Sequence, residues 1–197
     1  MQVYAKAFLT VAAVMYAVFA IALVAQWGGA GYTTISRVFS RTRGVSWFSA
    51  VTQTTLFCST VIRTGLAFLV DSSGMFFLAC STSIFLCLCI AFDIEVDSEH
   101  VVHTTTCFLG AVSALFFSWW GFFHVDMDME NPCCHYLGLA CLSVLSVATM
   151  VTSASWVVSW GGAVHLVSII TIVTFDELCT IAALHRFDGD SYIIFRL

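Results

Sequence analysis

Long apolar runs separated by short polar breaks divide this chain into six segments of the length an α-helix needs to cross a bilayer, about 20 residues. The runs lie at about 5–27, 46–70, 75–92, 101–123, 134–156 and 163–182. The pattern predicts an all-α fold: a polytopic integral membrane protein built as a six-transmembrane-helix bundle, one transmembrane domain over 1–197. The first run exceeds the 7 to 15 residue core of a cleaved signal peptide, so an uncleaved first span is expected. Gly28, Gly29 and Gly31 close it, and Asp71, Ser72, Ser73 and Gly74 form a polar turn that makes an antiparallel hairpin of the second and third spans. Pro132, the only proline, opens the fifth span. The others carry no proline kink, which argues against a transporter built on helices broken at mid-membrane.

The sharpest boundary lies in residues 93–120. Asp93, Glu95, Asp97 and Glu99 lead into His100 and His103, and the chain then runs through TTTCFLGAVSALFFSWW without another charge. Charge stops where hydrocarbon begins, as at a membrane-entry edge.

Composition strengthens that picture. The chain is 60% hydrophobic and only 10% charged, against about 25% charged residues in a soluble domain. A net charge of −5 excludes the basic footprint that nucleic-acid binding needs. Seven of the nine cysteines lie in or at the ends of apolar runs, where they are expected to behave as small hydrophobes.

Alternating the spans assigns the loops to two faces, A and B. Face A receives Arg37, Arg41 and Arg43 from the first loop opposite Asp93, Glu95, Asp97 and Glu99 from the third. An ion-paired cap between these loops is expected, each exposed pair contributing about 0 to 1 kcal/mol. The spacing of Arg37 and Arg41 is compatible with a short interfacial helix turning Val38 and Phe39 to lipid, but a solvated loop with anchoring arginines is the preferred expectation. Lysine and arginine divide four to three between the faces, so the positive-inside rule sets no orientation. Arg63 in the second span and Asp176 and Glu177 in the sixth reach similar depth, roughly 20 to 25 Å from face A. A charge inside a span needs a partner or a cavity, and pairing of Arg63 with Asp176 or Glu177 is expected.

Two groups of residues offer chemistry. His103 and His165 enter the bilayer at similar depth from face A, the arrangement of two axial haem ligands. Room for the ring is offered only by Gly161 and Gly162, however, so no cofactor is expected ahead of hydrogen-bonded packing between helices. His124, Cys133, Cys134 and His135 crowd near three acids, which suits a metal by residue type, but they lack a paired CxxC spacing, and a solvated acidic loop is the simpler reading. No nucleophile and base pairing, phosphate-cradling glycine loop or HExxH motif occurs, so no enzyme activity is expected.

Tyr32 and Ser36 in GYTTIS, Ala91 and Phe92 at the end of the third span, and His103 at the start of the fourth stand where the six-span Frag1/DRAM/Sfk1 group carries similar residues. The chain resembles that group over most of its length, with gaps. It lacks the proline expected before the first motif and has an acidic insertion before His103. The resemblance implies a non-enzymatic protein of the endomembrane system; a mitochondrial inner membrane is the other expected location. From the residues themselves, the leading expectation is an accessory or structural subunit of a larger membrane complex, such as a respiratory one, in contact with lipid and other membrane subunits. The alternatives are a small transporter or channel using Arg63, and a haem-binding electron-transfer subunit using His103 and His165.

Overall fold

A computed structural model describes residues 2–30, 34–69 and 71–125, together with Ala140, Val144, Val167 and Ile170. Among the described residues the chain is helical and contains no strand: α1 (Gln2–Gly29), α2 (Ile35–Arg41), α3 (Ser46–Leu69), α4 (Ser73–Ala91) and α5 (His100–Val125). Among the described residues three helical stretches are long and apolar enough to cross a membrane: Lys6–Gly29, Ser73–Ala91 and His100–Trp120. The fifth and sixth predicted runs fall outside the described residues, apart from four helical positions. One of these, Ile170, packs against a core cluster of Ala22, Leu23, Ala30, Ile35, Val38 and Phe48.

The second run does form a 24-residue helix, α3, but it is not among the three most apolar stretches. The physical reason is its composition, since its serines, threonines, Gln53 and Arg63 lower its mean hydropathy. Thr52, Thr55, Ser59 and Arg63, spaced three and four apart on one stripe, are buried, whereas Trp47, Phe57 and Phe68 are exposed. The other helices also turn large apolar side chains outward. α1 buries Leu9, Ala12, Tyr16 and Leu23 and exposes Val11, Val14, Val18, Ile21 and Val24; α5 buries His103, Thr106 and Ser118 and exposes Val101, Phe108, Phe116, Trp119 and Trp120. A helix in water turns its polar side outward; α3 and α5 instead bury several polar side chains while large apolar ones face outward, as helices surrounded by hydrocarbon do.

α3 packs on both α1 and α4, and α4 lies along α5. Hydroxyl groups bridge the helices: Thr60 and Ser83 share a 2.8 Å hydrogen bond, and the Thr55 hydroxyl donates to the Met15 carbonyl at 3.5 Å. The turn between α3 and α4 is tighter than the polar run suggests, because Ser73 and Gly74 already belong to α4. Asp71 takes the left-handed conformation, φ 46°, which aspartate tolerates better than most residues. The Ser72 hydroxyl accepts the Met75 N–H at 3.3 Å and caps α4.

Residues 35–41 are where the preferred expectation fails. They form a helix rather than a solvated loop, and Val38 faces the protein rather than lipid, with 0% exposure. At 3.6 residues per turn Ile35 and Val38 share a face. That face packs on Ala22, Leu23 and Phe48, while Arg37 and Arg41 are exposed. Phe39 is half-buried, its ring centroid 5.6 Å from that of Phe48.

Candidate functional site

The end of the bundle where α1 finishes and α5 begins gathers most of the described charge. Here the loop of residues 92–99 folds back on itself before it meets the arginines. The Asp93 carboxylate accepts the Glu95 N–H at 2.9 Å, a local turn typical of aspartate. The Glu99 carboxylate accepts the Asp93 N–H at 2.7 Å, while its carbonyl accepts the His103 N–H at 2.9 Å and begins α5. The His100 Nδ1 lies 3.0 Å from the Ile94 carbonyl. With the loop closed in this way, the Asp93 and Glu95 carboxylates face the segment that leaves α2.

Arg41 Nε stands 3.3 Å from Glu95 Oε1, and Arg43 Nε stands 3.3 Å from Asp93 Oδ2. Both arginines also serve helix ends. Arg41 donates to the Ala30 carbonyl just beyond α1, and Arg43 donates to the Ile90 and Ala91 carbonyls at 3.4 and 3.0 Å. The last carbonyls of a helix have no partner within it and carry partial negative charge, so each guanidinium joins a carboxylate and a helix terminus at once. Asp97 is exposed and Arg37 is exposed on the outer side of α2. Glu99 is spent on closing its own loop.

Ser40 was not singled out by the sequence, yet its hydroxyl donates to Asp93 Oδ1 at 2.6 Å and to Glu95 Oε2 at 3.4 Å. The Asp93 carboxyl is held below its ordinary value of 3.8, first by that Ser40 bond, then by the Glu95 N–H, with smaller help from the Arg43 charge against opposing burial. A lone serine between two arginines carries no sequence signal for this role. Only the fold brings residue 40 to residue 93.

His103 lies just inside this cap, 3% exposed. Its Nδ1 is 2.9 Å from the Phe92 carbonyl. Because a carbonyl can only accept, Nδ1 carries the proton, and in the neutral ring Nε2 is the acceptor. The Cys89 Sγ lies 3.8 Å from Nε2 and 3.9 Å from Nδ1. The ring is therefore oriented by backbone on one side and met by a thiol on the other. His165, the expected second haem ligand, lies outside the described residues.

Arg63 is 5% exposed, deep in the α3 stripe, with its guanidinium carbon 5.8 Å from the centre of the Phe117 ring. Such a cation over an aromatic face contributes about 0.5 to 2 kcal/mol. Its expected partners, Asp176 and Glu177, lie outside the described residues. So do Cys133, Cys134 and His135; His124 falls in the last turn of α5, and nothing is described of its side chain. Among the described residues no group of three histidine, cysteine or acidic side chains is placed to hold a metal ion. No protein-family model, curated protein or solved structure matches the chain.

Proposed function

We propose that this chain is a non-catalytic integral membrane protein of six spans that serves as an accessory or structural subunit of a larger membrane-embedded complex. The observation that carries this reading is the apolar surface: valine, isoleucine, phenylalanine and tryptophan side chains stand on the outward faces of α1, α4 and α5, while Thr52, Thr55, Ser59, Arg63, His103 and Thr106 are buried. The charges at the face A end support it further, because Asp93, Glu95, Arg41 and Arg43 are engaged in joining loop to loop and loop to helix end. Lipid covers such faces, and lateral packing of neighbouring helices uses the same apolar and aromatic contacts. The test is purification of the full chain in mild detergent followed by identification of co-purifying proteins. Stoichiometric membrane partners are expected; a stable, fully helical, isolated monomer overturns the reading.

The burial of Arg63 favours one second reading, a small transporter or channel in which this guanidinium meets the solute. In that case Arg63→Ala abolishes flux in proteoliposomes while the protein still assembles. Unchanged flux removes Arg63 from any such path.

A further inference from the structure

The packing of α4 on α5 fixes which residues of the two helices face each other. Phe92 and Cys89 of the α4 end meet His103. Further in, a Cβ on Gly110 would stand 3.3 Å from the Phe85 Cβ and 3.4 Å from the Leu86 Cδ2, and at the far end one on Gly74 would meet the Trp120 ring. As the α4 number falls the α5 number rises, so the helices run antiparallel in a single register. In that register Cys89 lies opposite Cys107, between the His103 contact on one side and the Gly110 contact on the other. Consistent with this, the Cys89 and Cys107 thiols interact with each other. The side-chain-free face of Gly110, one turn from Cys107, lets the backbones approach closely at this level, and Leu86 is one turn from Cys89. A disulfide needs Cα atoms roughly 4.4 to 6.8 Å apart, and close helix contact is what allows it.

We propose that Cys89 and Cys107 form an oxidisable dithiol that closes to an interhelical disulfide, with His103 as the base that receives the Cys89 proton. Three features of the structure converge on it. Both cysteines are free thiols and half-buried, so neither is sealed in the core. The Phe92 carbonyl holds the Nδ1 proton of His103 and leaves Nε2 as the acceptor toward Cys89. This is the general arrangement in which a base activates a nucleophile while a third group orients the base. Finally, Cys89 is two residues from the end of α4 and next to the polar loop, where a small reagent can arrive.

The co-reactant is a small-molecule disulfide, RSSR. Cys89 passes its proton to His103 Nε2, and the thiolate attacks one sulfur of RSSR, forming a Cys89–S–SR bond and breaking the S–S bond of the reagent. The departing RS⁻ takes the proton from His103. Cys107 then attacks the Cys89 sulfur, the second RS⁻ leaves with the Cys107 proton, and the products are one protein disulfide and two RSH. Two protein thiols are oxidised and one reagent disulfide is reduced.

The experiment uses the full-length protein in detergent micelles with 2,2′-dipyridyl disulfide as the probe, reading thiopyridone release and the chymotryptic peptides linked by disulfide. A linked pair containing Cys89 and Cys107, absent after reduction and absent from Cys89→Ser and Cys107→Ser, is expected from the wild type. Linked peptides that never join these two residues overturn the proposal, and this result does not depend on any variant folding. For the base, His103→Asn keeps an amide N–H for the Phe92 carbonyl but has no acceptor in place of Nε2. Release from Cys89 should slow about 100-fold, the lower end of what a positioned base contributes. An unchanged rate overturns the role assigned to His103.

Discussion

Arg43 binds Asp93 through Nε at 3.3 Å while its Nη2 donates to the Ala91 carbonyl at 3.0 Å, so one side chain holds both the loop after α4 and the end of α4 itself. The pair is partly exposed, and its Coulombic part alone is worth about 0 to 1 kcal/mol. The helix-end contact adds about 0.3 to 1 kcal/mol. Arg43→Ala is therefore expected to lower stability by about 0.3 to 2 kcal/mol, the sum of those ranges. Arg43→Lys, a point charge that cannot donate from a planar fork to both groups, should fall between. Denaturant unfolding in a fixed detergent, followed by circular dichroism, measures both.

Acid should loosen the same clasp. The Asp93 carboxyl titrates below its ordinary value of 3.8 in the folded chain, so the folded state favours the carboxylate. That contribution is fully present above the ordinary value and is lost as pH falls through the lowered folded one. Stability measured against pH should drop on the acid side of about 4, and Asp93→Asn should flatten that limb. An acid limb identical in wild type and Asp93→Asn would remove Asp93 as its source. Ser40→Ala removes the largest of the groups holding the carboxyl down, and it should move the limb toward higher pH.

Helix contact at Gly110 leaves little room for a side chain. Added bulk there meets the Phe85 Cβ at 3.3 Å, an atom fixed to its backbone. Gly110→Leu should force α4 and α5 apart at a cost of about 1 to 3 kcal/mol, and slow Cys89–Cys107 closure along with it. Gly74→Ala presents a shorter approach, 2.5 Å to the Trp120 ring, a side-chain rather than a backbone-fixed atom. Trp120→Ala should relieve Gly74→Ala and leave Gly110→Leu unrelieved, a difference that a double-mutant cycle reads directly.

Arg63 lends itself to a comparison of shape and charge. Arg63→Met keeps most of the side-chain volume beside Phe117, whereas Arg63→Ala opens a cavity there. Arg63→Ala should be the less stable of the two by about 1 to 2 kcal/mol, because large-to-small changes add a cavity cost. Equal stability of the two variants would show that the stem of Arg63 contributes nothing to packing.

The sequence by itself determined the extent of α3, α4 and α5 and the level at which charge ends. Helices at Ser46–Leu69, Ser73–Ala91 and His100–Val125 match the apolar runs to within about two residues, the ordinary scatter of helix ends, since run length in hydrocarbon is a local property of the chain. It also placed arginines 41 and 43 and acids 93 and 95 at one end, because alternation of spans follows from counting. What it could not supply was partner choice. Which acid meets which arginine, why Glu99 turns to its own loop, and how Ser40 reaches Asp93 across 53 positions all depend on helix rotation and loop closure. Tertiary structure alone also decided that Val38 turns inward and that Cys89, His103 and Cys107 come together. A run of apolar residues has no polar side to reveal its rotation, and only packing against neighbouring helices fixes it.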